Sequence, residues 1–269
     1  MQPEISEFSY GFALTNELVG WTSLRVAPIF PSLIEEGRSG GGYDVKLQLP
    51  GIPMYLQFKR SEYMKTRNAK EIKSGAPLPA PYYRFHLMEA ARSDQHQLLL
   101  QLDDGLNAVY YAAPRFHKLA QINSAWNSNT VTPQSIFVAP QAIGRLSRGS
   151  HAIAYTKRQA YLCSDPKPVD FFDGDGLQRH LTQKLSREKR PLRTRLSTLI
   201  ERARNAAQSL HDDEEDELKG AQLREAPAFE TRTPRALTPP EEQLRELSDI
   251  AAKIFGAQLV ILQSTTEEG

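Results

Sequence analysis

Two neighbouring stretches near the start of the chain alternate hydrophobic and polar residues with a period of two. The first covers residues 42–49 and the second covers residues 54–59, with Pro50-Gly51 between them. Alternation of this kind predicts strands that are buried on one face, and a Pro-Gly pair favours a turn. The two stretches are therefore predicted to form an antiparallel hairpin.

Further helices and strands are predicted across the first 172 residues. Apolar residues at helical spacing predict a helix over about residues 5–19. Downstream, the patterns predict strands at 82–88, 109–112, 135–139 and 151–155 and helices at 94–102 and 116–123. Strands that alternate with helices are typical of the α/β class, so we predict a mixed central sheet flanked by helices, with a C-terminal helical extension.

The chain divides into four predicted regions. Residues 1–172 form the α/β domain, and leucines at helical spacing predict a basic helical segment over 173–213, interrupted at Pro191. The acidic, proline-containing stretch 214–238 is a predicted linker, and residues 239–263 are a predicted helix and strand. A single apolar strand needs a neighbour, which either this chain's sheet or a second protein could supply.

Composition narrows the class of protein. The chain has 269 residues, 40% hydrophobic and 24% charged, which is ordinary for a soluble globular protein. Its single cysteine, Cys163, excludes an intramolecular disulfide and a cysteine-based zinc cluster. The sequence lacks an apolar run of membrane-spanning length and an N-terminal apolar signal core, so we expect a cytoplasmic protein with no membrane partner.

Charge is distributed unevenly, although the net charge is only +1. Residues 176–210 hold nine Lys or Arg against two Glu, and six acidic residues follow at 212–217. This distribution predicts a contact with nucleic acid or with a partner protein. The alternative is a solvated helix followed by a flexible acidic loop.

The predicted hairpin would bring three chemical groups together. Asp44 begins the first strand, while Gln57 and Lys59 share one face at the end of the second. An antiparallel return would carry that face back to Asp44. A carboxylate with neutral oxygens can hold a hard divalent cation, which can bridge a scissile phosphate and an attacking water. A lysine beside it could orient or deprotonate that water.

The order Asp44, twelve residues, Gln57-Phe58-Lys59 resembles the PD-(D/E)XK nuclease superfamily, which has the restriction-endonuclease-like fold. It is most similar to the branch in which Gln replaces the second acid, as in Mrr-like restriction enzymes and many phage-defence nucleases. The resemblance implies a metal-dependent endonuclease that cuts DNA in restriction or phage defence. It also implies that Asp44 and the Phe58 carbonyl bind Mg²⁺ or Mn²⁺, and that Lys59 positions the water.

The same resemblance implies a further acid, from a helix ahead of the Asp44 strand. Glu17, 27 residues before Asp44, is the first candidate as a metal ligand and catalytic residue, and Glu7 is the second. An acid near a helix start, such as Glu7, can also serve only to balance the helix dipole. Four basic residues after the motif could hold the phosphates of a nucleic acid: Arg60, Lys65, Arg67 and Lys70.

The neutral Gln57 leaves two questions open. It removes one negative charge from the predicted site, so the number of metal ions is not fixed. It also allows a non-catalytic subunit that keeps the fold and binds nucleic acid or a partner through residues 176–210 and the C-terminal helix and strand. RNA is a further possible substrate. The sequence lacks an ATP-binding phosphate loop, so we expect any trigger to come from a second protein or another copy of the chain.

Overall fold

The computed structural model describes residues 1–29, 45–66, 69–73, 75–87, 94–147, 149–217 and 238–265. These residues form two five-stranded sheets with helices packed against them. This architecture confirms the predicted α/β class with a C-terminal helix. None of the helices in the described ranges combines the length and the hydrophobicity that a bilayer crossing requires.

The observed elements follow the predicted order from residue 82 onward. The helices are α1 (Glu7–Val19), α2 (Lys70–Lys73), α3 (Gln95–Leu102), α4 (Leu119–Asn127), α5 (Pro140–Ile143), α6 (Gly174–Arg187), α7 (Leu196–Glu217) and α8 (Pro240–Lys253). The strands are β1 (Leu24–Ile29), β2 (Ile52–Phe58), β3 (Glu62–Met64), β4 (Tyr82–Leu87), β5 (Ala108–Pro114), β6 (Ser135–Val138), β7 (His151–Tyr155), β8 (Ala160–Leu162), β9 (Lys167–Pro168) and β10 (Gln258–Ser264).

The first sheet has the strand order β1-β10-β2-β5-β6. Only the β2–β5 pair is parallel, and the other three pairs are antiparallel. The second sheet has the order β3-β4-β7-β8-β9 and is antiparallel throughout. Strand β2 is the middle strand of the first sheet, and the chain passes from its end directly into β3 of the second.

The predicted hairpin is wrong. Residues 45–50 form a turn instead of a strand, and the neighbour of β2 on that side is β10, which pairs Gln258 with Leu56 and Leu262 with Ile52. A strand that is buried on both faces needs a continuous apolar run. β10 supplies that run and is buried from Leu259 to Gln263, whereas the stretch 45–49 would place Lys46 and Gln48 against a packed layer.

A buried glutamine of β10 holds the turn in place. The Gln263 side chain is 1% exposed. Its Oε1 accepts a hydrogen bond from the Lys46 N–H at 2.8 Å, and its Nε2 donates to the Lys46 carbonyl at 2.8 Å. The side-chain amide of Gln263 thus makes the two hydrogen bonds with the Lys46 backbone that a neighbouring strand would otherwise make. This contact lies beside the first residues of β2, at the end opposite Lys59.

Helices cover both faces of the first sheet. Helices α1 and α6 pack on the face that holds Met54 and Leu56, and α3, α7 and α8 pack on the face that holds Tyr55. Successive side chains of a strand point to opposite faces. Gln57 and Lys59 therefore continue the Tyr55 face, while Phe58 packs against α1, where its ring lies at 85° to the Tyr10 ring.

Candidate active site

Lys59 lies just beyond the end of β2, where the two sheets meet. Its backbone N–H donates to the Ala112 carbonyl at 2.9 Å, which extends the parallel pairing with β5 by one residue. The next residue, Arg60, is exposed, and the buried Ser61 hydroxyl hydrogen-bonds to the Tyr155 hydroxyl of the second sheet. The Lys59 side chain is only 6% exposed. A cation is thus enclosed at the carboxyl end of the middle strand.

Two side-chain amides surround the Lys59 amine. Lys59 Nζ donates to Gln95 Oε1 at 3.3 Å, and Gln95 Nε2 donates to Gln57 Oε1 at 3.0 Å. Gln57 is 8% exposed, and its own Nε2 donates to the Phe58 carbonyl at 3.4 Å. Among the described residues, no carboxylate is hydrogen-bonded to Lys59. The amine is therefore held by neutral oxygen.

The aromatic ring of Tyr111 lies next to the Lys59 amine. Lys59 Nζ is 5.6 Å from the centre of the Tyr111 ring, within the range of a cation–π contact. The Tyr111 hydroxyl bonds to His96 Nδ1 at 2.9 Å, and His96 Nε2 bonds to the Gly144 carbonyl at 2.8 Å. Since a carbonyl can only accept, Nε2 carries the proton and Nδ1 accepts from the tyrosine. Burial lowers the pKa of His96, in keeping with this neutral ring.

The surroundings alter the proton affinity of Lys59. Burial lowers the pKa of its amine, because the charged form loses water, and the negative charge of Glu7 opposes that shift. Glu7 is the exposed first residue of α1. A lysine with a lowered pKa holds more of the neutral amine near physiological pH, and the neutral amine can act as a base.

The other helix acid, Glu17, binds the backbone of a loop and not Lys59. Glu17 accepts hydrogen bonds from the backbone N–H groups of Val131 and Thr132, both at 2.6 Å, so its two oxygens hold the loop between α4 and β6. It is ten residues after Glu7, which corresponds to about 15 Å along a helix. Of the two predicted acids, the one that acts electrostatically on Lys59 is Glu7.

The remaining predicted site residues fall into three groups. Asp44 and Arg67 lie outside the described residues. Arg60 and Lys65 are exposed close to Lys59 in sequence, where they are accessible to a ligand. Lys70 is the first residue of α2, and the described part of the chain includes its backbone but not its side chain.

The donor atoms at the site fit a hard cation in type. Gln57 Oε1 and the Phe58 carbonyl are neutral oxygens, which Mg²⁺ and Mn²⁺ accept as ligands. Within the described residues, His, Cys, Asp and Glu side chains form no group of three or more that could hold a metal ion. The negative charge of such a site would have to come from a carboxylate. Glu7 is the described acid that acts electrostatically on Lys59. Asp44, which the resemblance assigns to this role, lies outside the described residues, and Lys46, two positions later, is held at the opposite end of β2.

The basic segment 176–210 is largely engaged within the chain. Arg195 is 4% exposed; its Nε pairs with Glu188 at 3.1 Å, and its Nη1 donates to the Gly51 carbonyl at 2.6 Å. Five of the segment's nine cations bind other groups of this chain: Lys184, Arg190, Arg195, Arg202 and Arg204. These contacts leave a smaller free basic surface than the sequence alone suggested.

Sequence reasoning missed Gln95 and Tyr111. Gln95 is 36 residues from Lys59, and no local pattern links the two. The available signal was the polar triplet Asp94-Gln95-His96 at the start of an otherwise apolar helix, which places hydrogen-bonding groups where leucines would be expected.

We compared the chain with models of protein families, with curated proteins and with solved structures, and none of them matches. The likeness to PD-(D/E)XK nucleases therefore depends on the Asp44…Gln57-Phe58-Lys59 motif. Within the described residues, that motif contributes the Gln57–Lys59 part of the site.

Proposed function

We propose that this chain is a metal-dependent endonuclease that hydrolyses phosphodiester bonds in nucleic acid, with DNA as the substrate. The observation that carries the proposal is Lys59: an enclosed lysine with a lowered pKa at the end of the middle strand, held by Gln95 beside Gln57. Enclosing a cation has a solvation cost, which the enclosed Arg195 offsets by pairing with Glu188, whereas Lys59 has only neutral oxygen as a hydrogen-bond partner among the described residues.

Lys59 has two roles in the proposed reaction. As the neutral amine it takes a proton from the attacking water, whose oxygen forms a bond to phosphorus as the bond to the leaving oxygen breaks. As the ammonium it then stabilises the charge that develops on the phosphate oxygens. Gln57 Oε1 and the Phe58 carbonyl would hold the metal ion together with Asp44 or Glu7. A bound Mg²⁺ or Mn²⁺ polarises the phosphate and makes the water more acidic.

The first experiment is nucleic-acid cleavage with matched lysine variants. Plasmid, linear and single-stranded DNA and RNA are incubated with Mg²⁺, Mn²⁺ or EDTA and with wild type, Lys59→Met or Lys184→Met. Lys184 is the control because it is also partly buried with a lowered pKa, yet it donates to the Gly105 and Asn107 carbonyls. We expect metal-dependent cutting that Lys59→Met lowers by about 10²-fold or more and Lys184→Met preserves. Equal cutting by wild type and Lys59→Met would refute the proposal.

Asp44→Asn tests the part of the resemblance that lies outside the described residues. We expect this variant to lose cutting and to need a higher Mn²⁺ concentration for any residual activity, because a metal ligand is weakened. Glu7→Gln and Glu17→Gln distinguish the two helix acids in the same assay, and the electrostatic effect of Glu7 on Lys59 favours a loss in Glu7→Gln.

The second candidate function is a non-catalytic subunit, which the neutral Gln57 favours. If the chain cuts none of the substrates with either metal but still binds nucleic acid or a partner, this function is preferred. By its resemblance to Mrr-like and phage-defence nucleases, we place the enzyme in restriction or phage defence in the cytoplasm, with a second protein or another copy as its trigger.

A further inference from the structure

Gln95 connects three parts of the candidate site through one amide group. Its Oε1 accepts from Lys59 Nζ at 3.3 Å. Its Nε2 donates to Gln57 Oε1 at 3.0 Å and to the Phe255 carbonyl at 3.3 Å. The oxygen and nitrogen of an amide cannot exchange roles. This orientation therefore gives the lysine an acceptor and gives Gln57 a donor at the same time.

The C-terminal segment fixes that orientation by close packing. Gly256, between α8 and β10, has φ +58, and a Cβ atom built on it would lie 2.6 Å from Gln95 Nε2 and 3.5 Å from Gln57 Oε1. A real Cβ does not approach a nitrogen atom that closely. The Phe255 side chain before it is fully buried, and its ring contacts Tyr55 edge-on at 6.5 Å. The nitrogen end of Gln95 is thus enclosed by residues far from it in sequence.

The contacts of Gln95 decide where the Lys59 amine points. An ammonium can use the Gln95 oxygen as an acceptor, and a neutral amine can still donate one of its hydrogens to it. In both states the bond fixes where the rest of the amine points. Without the Gln95 oxygen, the described surroundings leave Lys59 the Tyr111 ring, 5.6 Å away, and the more distant charge of Glu7.

We propose that Gln95 is the positioning residue of this site: it directs the Lys59 amine and sets the orientation of the Gln57 amide, and through Phe255 and Gly256 it makes the C-terminal segment part of the site. The consequence for catalysis rests on the proposed endonuclease function. The positioning of Lys59 by Gln95 does not, so the two can fail separately.

The test is the titration of Lys59 in variants of opposite character. Protein labelled with ¹³C at lysine Cε is titrated by NMR, and the Lys59 signal is identified by its loss in Lys59→Met. Gln95→Glu keeps an oxygen beside Lys59 and adds a negative charge, so the pKa of Lys59 rises, by roughly one unit or more. Gln95→Met has a similar shape without an acceptor, so that pKa falls below its wild-type value.

The control changes the same residue type on the same helix. Gln97 is two residues from Gln95 on α3 and half-buried, so Gln97→Glu and Gln97→Met leave the Lys59 titration unchanged. Far-UV circular dichroism establishes that each variant is folded. Gln95→Glu alone decides the outcome if Gln95→Met does not fold: an unchanged Lys59 pKa in folded Gln95→Glu overturns the proposal. Shifts of the same sign in both Gln95 variants also overturn it.

Cleavage by the same variants separates this inference from the proposed function. If the enzyme cuts DNA, the ascending limb of the rate against pH, which reports the loss of the Lys59 proton, moves to higher pH in Gln95→Glu, together with the Lys59 pKa. If wild type does not cut but Lys59 still titrates with opposite shifts in the two Gln95 variants, the endonuclease function fails while Gln95 keeps its positioning role.

Discussion

The two ends of β2 both depend on buried glutamines, which serve different purposes. At the first end, Gln263 bonds to the backbone of Lys46 in both directions. At the other end, the Gln57 and Gln95 amides lead to the amine of Lys59. Backbone groups do not titrate near neutral pH, so the first arrangement only fixes the fold. In the second arrangement, the Gln57 amide is hydrogen-bonded to the Gln95 amide, which contacts the enclosed Lys59 amine, a group that can exchange a proton.

The comparison separates stability from chemistry within a single sheet. A buried amide whose partners are backbone groups contributes to the free energy of unfolding. An amide whose partner is an ionisable side chain also sets the fraction of that side chain that is charged. The two ends should therefore respond differently to similar substitutions.

The largest expected effect on stability is at the Gln263 end. Gln263→Leu removes both bonds to Lys46 and leaves the turn without its strand-like neighbour. We expect the free energy of unfolding to fall by roughly 2–3 kcal/mol, measured by urea denaturation at pH 7. Gln178→Leu loses one surface bond to Ser23 and should change it by less than about 0.5 kcal/mol. A Gln263→Leu protein as stable as wild type would contradict the structural role.

Gly256→Ala should destabilise the Lys59 end of β2, because the added methyl group would collide with Gln95. The substitution adds a Cβ at 2.6 Å from Gln95 Nε2 in a left-handed backbone conformation, and we expect a loss of about 2 kcal/mol. Gly105→Ala is the control: Gly105 has φ +83 and no atom within 4 Å of the added Cβ, so it should lose only about 1 kcal/mol of backbone strain. Equal losses would show that the Gln95 amide moves aside at little cost, so that Gly256 does not fix its orientation.

The two acids of α1, Glu7 and Glu17, should affect different properties of the protein. Glu17→Gln replaces a carboxylate that accepts two backbone N–H bonds, so we expect a loss of roughly 1–2 kcal/mol and an unchanged Lys59 pKa. Glu7→Gln should alter stability by less than about 0.5 kcal/mol and lower the Lys59 pKa, because the opposing charge is removed. Urea denaturation and the lysine titration measure the two effects. A Lys59 pKa that depended on Glu17 instead would reverse the assignment.

The smallest effect is a slope in stability against pH. Burial lowers the pKa of Lys59 below its usual 10.5. Between the folded-state pKa and 10.5, the unfolded chain binds more protons, so stability rises with pH, by about 1.4 kcal/mol for each unit of pKa depression. Wild type should therefore gain stability relative to Lys59→Met as the pH rises to 10.5. The difference between the two proteins cancels the titration of the buried tyrosines. A constant difference across this range would show that folding does not depress the Lys59 pKa.

The local elements of the fold were predictable because their patterns are local. The strand at 151–155 coincides with β7, and the helix predicted over 5–19 contains α1. The position of β10 was not predictable, because its pairs with β1 and β2 join residues more than 200 positions apart, such as Leu262 with Ile52. The alternation in residues 45–49 predicted a hairpin with β2. The more apolar strand β10 occupies that place beside β2 instead.

The candidate site was predictable only in part, for the same reason. A strand period of two is enough to place Gln57 and Lys59 on one face, and the structure has them there. The partners that enclose them come from helix α3 and from the segment around Gly256. In that segment, Phe255 accepts a hydrogen bond from Gln95, which is 160 residues earlier in the chain. Contacts over such separations depend on tertiary packing and leave no pattern in the neighbouring sequence.

The place of β10 in the sheet has a consequence for synthesis. A ribosome makes β1 and β2 long before β10, so the gap between them stays open until residue 264 has emerged. Chains grow at about 5–20 residues per second, so the roughly 200 residues between these strands take on the order of 10–40 s. During that time neither Gly256 nor Phe255 can enclose Gln95. A nascent chain thus holds Lys59 without its final surroundings, and the complete arrangement forms only after the C-terminal segment is made.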